Sequence, residues 1–174
     1  MITATKINSL TDIDFDVLFD ATLPILDAEE NYWHDKAASY EDKKAHTVSI
    51  FNFVNSMEKP SCFKVDVDGL TVAVIFGYIH EGQHTILVGL LREDANGSRS
   101  YVYDAGWAQA VRDITTSDGA TSGSMRFYTG SKTCQTFEKV YNATESDLTY
   151  LTPENDWPVT ILRIWPLDSE REAP

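Results

Sequence analysis

CFKVDVDGLTVAVIFGYIHEGQHTILVGLL, running from Cys62 to Leu91, carries the clearest structural signal in the chain. From Cys62 to Asp68 polar and apolar residues alternate, which is the period of a half-buried strand. Asp68-Gly69 is a strong two-residue hairpin signal. Leu70 to His80 is a second, mostly apolar β-rich run. Glu81-Gly82 marks the next turn, and Thr85 to Leu91 reads as a third strand with Gly89 in its middle. The three segments predict an antiparallel meander. A glycine inside its last strand suits a bulge or the close approach of another backbone.

Toward the N-terminus, ITATKI alternates as a short strand should. Thr11 followed by Asp14 reads as a variant capping box, and Phe15, Leu18, Phe19 and Thr22 then share one helical face. Pro24 is expected to kink or end that helix. Asp27 to Lys44 has no clean period and reads as a loop with some helical character. A second helix follows, with Ile50, Phe53, Val54 and Met57 as its core-facing stripe, ended at Lys59-Pro60.

Toward the C-terminus, Arg92 to Tyr101 is a polar segment containing Asn96-Gly97-Ser98. Tyr103, Trp107, Ala110, Val111 and Ile114 then form the best helical stripe in the sequence. A short strand, Ser124 to Tyr128, and a further helix, Ser131 to Tyr141, come next. Leu148 to Leu151 and Val159 to Trp165 form the last strand pair. With no repeat and no linker, residues 1–174 are expected to be one domain: strand and two helices in 1–60, meander in 61–91, loop-helix-strand-helix in 92–141, hairpin in 148–166.

The net charge of −13 argues against nucleic acid as a direct partner, because an acidic surface repels phosphate backbones. It suits solubility or a basic partner. No run approaches the roughly 20 apolar residues of a membrane span. The N-terminus has neither a basic start nor an apolar signal core. The expectation is a cytoplasmic protein without membrane contact, or one residing in a virion or host cytoplasm if phage-encoded. Cys62 and Cys134 lack metal-ligand spacing and read as free, buried thiols. The four histidines match no metal motif, so no metal is expected; His80 and His84 read as an exposed pair flanking a turn.

The order strand, two helices, three-strand meander, loop, helix, strand, helix, two strands resembles the GNAT N-acetyltransferase superfamily over nearly the whole chain. Phe127-Tyr-Thr-Gly-Ser131 followed by Thr136-Phe-Glu-Lys-Val-Tyr141 is similar to that family's strand and last helix. The resemblance implies an α+β fold in α/β/α layers, a mixed sheet with an antiparallel N-terminal meander and helices on both faces. It also implies acetyl-CoA as cofactor and an amine, on a small molecule or a protein, as acceptor.

By that resemblance, the pyrophosphate lies against the backbone amides of Asn96, Gly97, Ser98, Arg99, Ser100 and Tyr101, with Arg99 adding charge, and pantetheine pairs with the backbone around Leu90 and Leu91. The loop has one glycine where the family has two or three, so it also reads as an ordinary turn at a helix start. Phe137 stands where the family places a proton-donating tyrosine, and the third meander strand carries no carboxylate. Tyr128 or Tyr141 are candidate acids, and Glu93 or His84 candidate bases. Both tyrosines also read as core aromatics, and Glu93 and His84 as exposed residues. Tyr32, Trp33 and His34 read either as the wall of an acceptor pocket or as a cap over the sheet. Two functions stay open: an acyl-CoA-dependent N-acyltransferase, and a non-catalytic interaction or structural module of the kind found among virion proteins of short-tailed phages. An unrelated acidic α+β binding protein is a third.

Overall fold

The structure, a computed structural model, describes residues 1–29, 32–33, 35–103, 105–128, 135, 148–151 and 159–166. The elements are β1 (Ile2–Ile7), α1 (Phe15–Ala28), α2 (Tyr40–Asn55), β2 (Cys62–Val67), β3 (Leu70–His80), β4 (Gln83–Leu91), α3 (Ala105–Ser117), β5 (Ser122–Tyr128), β6 (Leu148–Leu151) and β7 (Val159–Trp165). One sheet holds the strands in the order β1-β2-β3-β4-β5-β7-β6. All neighbours are antiparallel except β4 and β5, which run parallel.

The meander forms where the alternation predicts it. Its two hairpins turn through left-handed residues, Asp68 (φ 50°) with Gly69 (φ 85°) and Glu81 (φ 50°) with Gly82 (φ 78°). Two consecutive positive φ values match the right-handed twist of the flanking strands. A parallel neighbour cannot be reached by a tight turn, so the chain leaves β4 through a loop and α3 before returning as β5.

Both faces of the sheet are covered. Trp107, Ala108 and Val111 of α3 pack with Phe63, Ile75, Ile86 and Met125 on one face. Leu18 and Phe19 of α1 and Phe51 and Val54 of α2 pack with Val74, Phe76 and Leu90 on the other. The layers are therefore α/β/α, as the order of elements implies.

Several local expectations are corrected. The capping box forms at Ser9 and Asp12, closing a 3-10 turn, and Asp14 itself caps α1. Helix α1 runs through Pro24 to Ala28, and Thr22 and Leu26 stay buried on its sheet-facing side. Helix α2 starts at Tyr40, with Ser39 Oγ accepting from the Asp42 amide at 3.1 Å, so the stretch up to Lys44 is not all loop. The α2 stripe is rotated: Lys43, Thr47, Phe51 and Val54 are buried, whereas Phe53 is 58% exposed. Polar Lys43 and Thr47 hid that face from a pattern search. Lys43 reaches Asp27 at 2.9 Å and Thr47 bonds back to its own helix, which satisfies both indoors.

Cys62 is a free, buried thiol. Cys134 and the helix expected over Ser131 to Tyr141 lie outside the described residues. Among the described residues, no helix is long and apolar enough to cross a membrane, and no group of three or more His, Cys, Asp or Glu side chains is placed to hold a metal ion.

Candidate functional site

The sheet forks where β4 and β5 part. Their parallel ladder runs from Gln83–Ser122 to Leu87–Arg126 and reaches no further among the described residues, although β4 continues to Leu91 and β5 to Tyr128. Beyond that point β5 stays paired with β7 through Phe127–Thr160 and Tyr128–Val159, while β4 stays with β3. Gly89 sits at the fork. In the β3–β4 ladder Val74 pairs with Leu90 and Ile75 with Val88, which leaves Gly89 as the extra residue of a bulge. A Cβ there would lie 2.8 Å from two ring carbons of Phe76 and 2.8 Å from the Val74 carbonyl. Only glycine lets the backbone settle that close.

The carbonyl and amide of Leu91, just past the bulge, are both engaged by one side chain from α1. Thr22 Oγ1 accepts from the Leu91 amide at 2.9 Å and lies 2.8 Å from the Leu91 carbonyl and 2.6 Å from the Leu18 carbonyl, with one proton to give to either. Thr22 is 1% exposed.

The loop from Arg92 to Tyr103 leads from the end of β4 toward α3. Tyr101 pins it: its hydroxyl lies 2.9 Å from the Val72 carbonyl and 2.5 Å from the Arg92 carbonyl, and burial pushes its pKa up to about 12. Tyr101 is thus an anchor and no source of protons near neutral pH. An apolar crevice opens beneath the loop between Leu91, Tyr101, Trp107 and Met125.

The loop's amides are largely spoken for. Asp94 Oδ1 accepts from Asn96 at 2.8 Å and from Ser98 at 3.0 Å. The Gly97 amide donates to the Asp94 carbonyl at 3.0 Å, the Asp94 amide to the Ser98 carbonyl at 2.8 Å, and the Ser100 amide to Ser98 Oγ at 3.1 Å. Of the six residues from Asn96 to Tyr101, only Arg99 and Tyr101 have amides with no partner among the described residues. The Arg99 side chain is exposed.

The candidate acid–base residues scatter. His84 is the clearest correction: it is fully buried in β4, five residues before Gly89, which at about 3.3 Å per residue puts it some 16 Å from the fork. Its Nε2–H donates to the Ser61 carbonyl at 3.1 Å, and burial lowers its pKa to about 4. The turn at Glu81-Gly82 is one residue tighter than a flanking His pair requires, so Ile79 faces His84 and only His80 is exposed. Glu93 is exposed, two residues beyond β4. Tyr128 ends the β5 arm of the fork. Tyr141 and Phe137 lie outside the described residues. Trp33 is buried, its Nε1–H donating to Asp27 at 2.7 Å with Lys43 Nζ 5.4 Å from its ring centre, so it caps the α1–α2 corner; His34 is outside the described residues.

The sequence reading missed two residues that matter here. Asp94 had a legible signal, since an Asp placed two residues before Asn-Gly favours a side-chain-closed turn. Thr22 had none beyond its place on a helical face, because its partner is 69 residues away.

No protein-family model matches the sequence, and no curated protein matches it. Solved structures do match in shape. The PaiA N-acetyltransferase from Thermoplasma acidophilum, solved with coenzyme A, superposes with a TM-score of 0.53 at 10% identity, covering 94% of this chain and 99% of that one. Ard1 from Thermoplasma volcanium gives 0.56 at 14% identity, covering 92% and 95%. The Campylobacter jejuni N-acetyltransferase PseH, solved with acetyl coenzyme A, gives 0.50 at 13% identity, covering 94% and 99%. The sheet order, the parallel β4–β5 pair that forks at a bulge, and these end-to-end superpositions agree: the chain has the GNAT N-acetyltransferase fold.

Proposed function

We propose that this chain is an acyl-CoA-dependent N-acyltransferase acting on an amine. The observation that carries the reading is the fork: β4 and β5 separate past Leu87 and Arg126 beside the Gly89 bulge, next to an apolar crevice. Such a fork supplies a slot with a wall of strand backbone. The fit to CoA is uneven. On the strand side, pantetheine would pair with the backbone around Leu90 and Leu91 only where Thr22 gives up its hold on Leu91, and the Arg99 and Tyr101 amides with the Arg99 guanidinium suit phosphate. The amides of Asn96, Gly97, Ser98 and Ser100 do not, because they are satisfied within the loop. Bound acyl-CoA would supply an activated thioester, with CoA thiol as the leaving group once the amine takes the acyl group; the chain would supply orientation, which by itself is worth several kcal/mol of barrier when reacting groups are held in near-attack geometry. The net charge of −13 favours a cationic acceptor.

The second reading is a non-catalytic interaction module. It is favoured by the closed state of the loop and by Thr22 on Leu91, which leave both backbone stretches content without ligand. Titration calorimetry with acetyl-CoA separates the two, run beside a thiol-release assay with a panel of amines on the unmodified protein and on Phe137→Tyr. Binding tighter than about millimolar, near −4 kcal/mol, and release that rises in Phe137→Tyr support the enzyme. No binding at that level and no release from either protein would remove it in favour of the module.

A further inference from the structure

The loop between β4 and α3 already holds an anion, and the anion is its own. Gly97, at φ 73°, turns the chain so that the amides of Asn96 and Ser98 converge on one carboxylate oxygen of Asp94. Converging backbone amides are the arrangement by which proteins bind phosphate and other oxyanions. The Asp94 amide and carbonyl close the same ring from the other side, on Ser98 and Gly97. A phosphate reaching for the Asn96 and Ser98 amides must first displace that oxygen. One settling on the open amides of Arg99 and Tyr101 would lie beside a fixed negative charge, and like charges in a half-buried setting repel strongly.

We infer that Asp94 is an internal stand-in for phosphate which competes with the CoA pyrophosphate and so sets the affinity of this loop for it. The inference rests on the acyl-CoA reading above, and concerns how that site is regulated. Removing the carboxylate frees two amides and one charge together. Exchanging it for an amide keeps an acceptor in the ring and removes the charge alone.

The test is calorimetric titration of CoA, and of pantetheine, which lacks the pyrophosphate, into the unmodified protein, Asp94→Asn and Asp94→Ala. Asp94→Asn keeps the ring closed and guards against a loop that fails to order in Asp94→Ala. The expected result is CoA affinity rising about tenfold or more in Asp94→Ala and by less in Asp94→Asn, with pantetheine affinity the same in all three. CoA affinity that is unchanged or weaker in both variants overturns the proposal, as does an equal gain for pantetheine. If pantetheine binds but CoA is no better in either variant, Asp94 has no such role while the acyl-CoA reading stands. If neither ligand binds any of the three proteins, both fall.

Discussion

His84 should make this protein lose stability in mild acid, through a window that can be stated in advance. Its imidazole is fully buried against Phe63, with Nε2 spent on the Ser61 carbonyl and Nδ1 unpartnered among the described residues. Burial disfavours the cation, lowering the pKa from 6.5 to about 4; the nearby Lys6 ammonium adds to that, while the Ser61 carbonyl and Asp118 oppose it. The unfolded chain takes up a proton as pH falls below about 6.5, and the folded one refuses it until about 4. The stabilising contribution is therefore complete above 6.5 and is lost between 6.5 and 4. At about 1.36 kcal/mol per pH unit the loss comes to roughly 3 kcal/mol, a sizeable share of a typical 5–15 kcal/mol. Urea unfolding at pH 7, 5.5 and 4, on the unmodified protein and on His84→Gln, measures it. Carboxylates titrate in both proteins and cancel in the comparison. The unmodified protein should lose about 3 kcal/mol more than the variant between pH 7 and 4. Parallel pH profiles, or an imidazole resonance of His84 titrating near 6.5 in the folded state, would refute the argument.

Two substitutions probe the fork. Gly89→Ala places a methyl 2.8 Å from both the Phe76 ring and the Val74 carbonyl, and the carbonyl belongs to a paired strand that cannot yield; thermal unfolding should register a loss of about 1–3 kcal/mol, and an unchanged midpoint would mean the bulge is looser than described. Thr22→Val keeps the shape but strands the Leu91 amide and carbonyl, at a cost of about 1–3 kcal/mol, whereas Thr22→Ser should hold close to the unmodified protein. Equal stability of the Val and Ser variants in urea would show that water replaces the hydroxyl.

The sequence by itself determined the parts of this protein whose causes are local. Asp68-Gly69 and Glu81-Gly82 could only turn tightly, so the three strands around them had to form a meander. The stripe Trp107, Ala110, Val111 and Ile114 fixed α3, although Tyr103, read as its first member, stands in a 3-10 turn ahead of the helix, and the loop and helix together gave the long crossover that a parallel β5 needs. Gly89 announced a bulge because a missing side chain inside an apolar strand has few other uses. Tertiary structure decided the rest, for reasons that no short window contains. Lys43 and Thr47 became core residues of α2 because Asp27 and the helix backbone satisfied them, while apolar Phe53 was left outside. His84 went inward because the Ser61 carbonyl, 23 residues away, awaited its proton. The state of the candidate site depended most on distance: Thr22 closes over Leu91 from another helix, and the six amides that sequence offered to a ligand include four already bonded within their own loop. Backbone polar groups take the nearest partner that folding delivers, and which partner arrives is a property of the packed chain rather than of any segment of it.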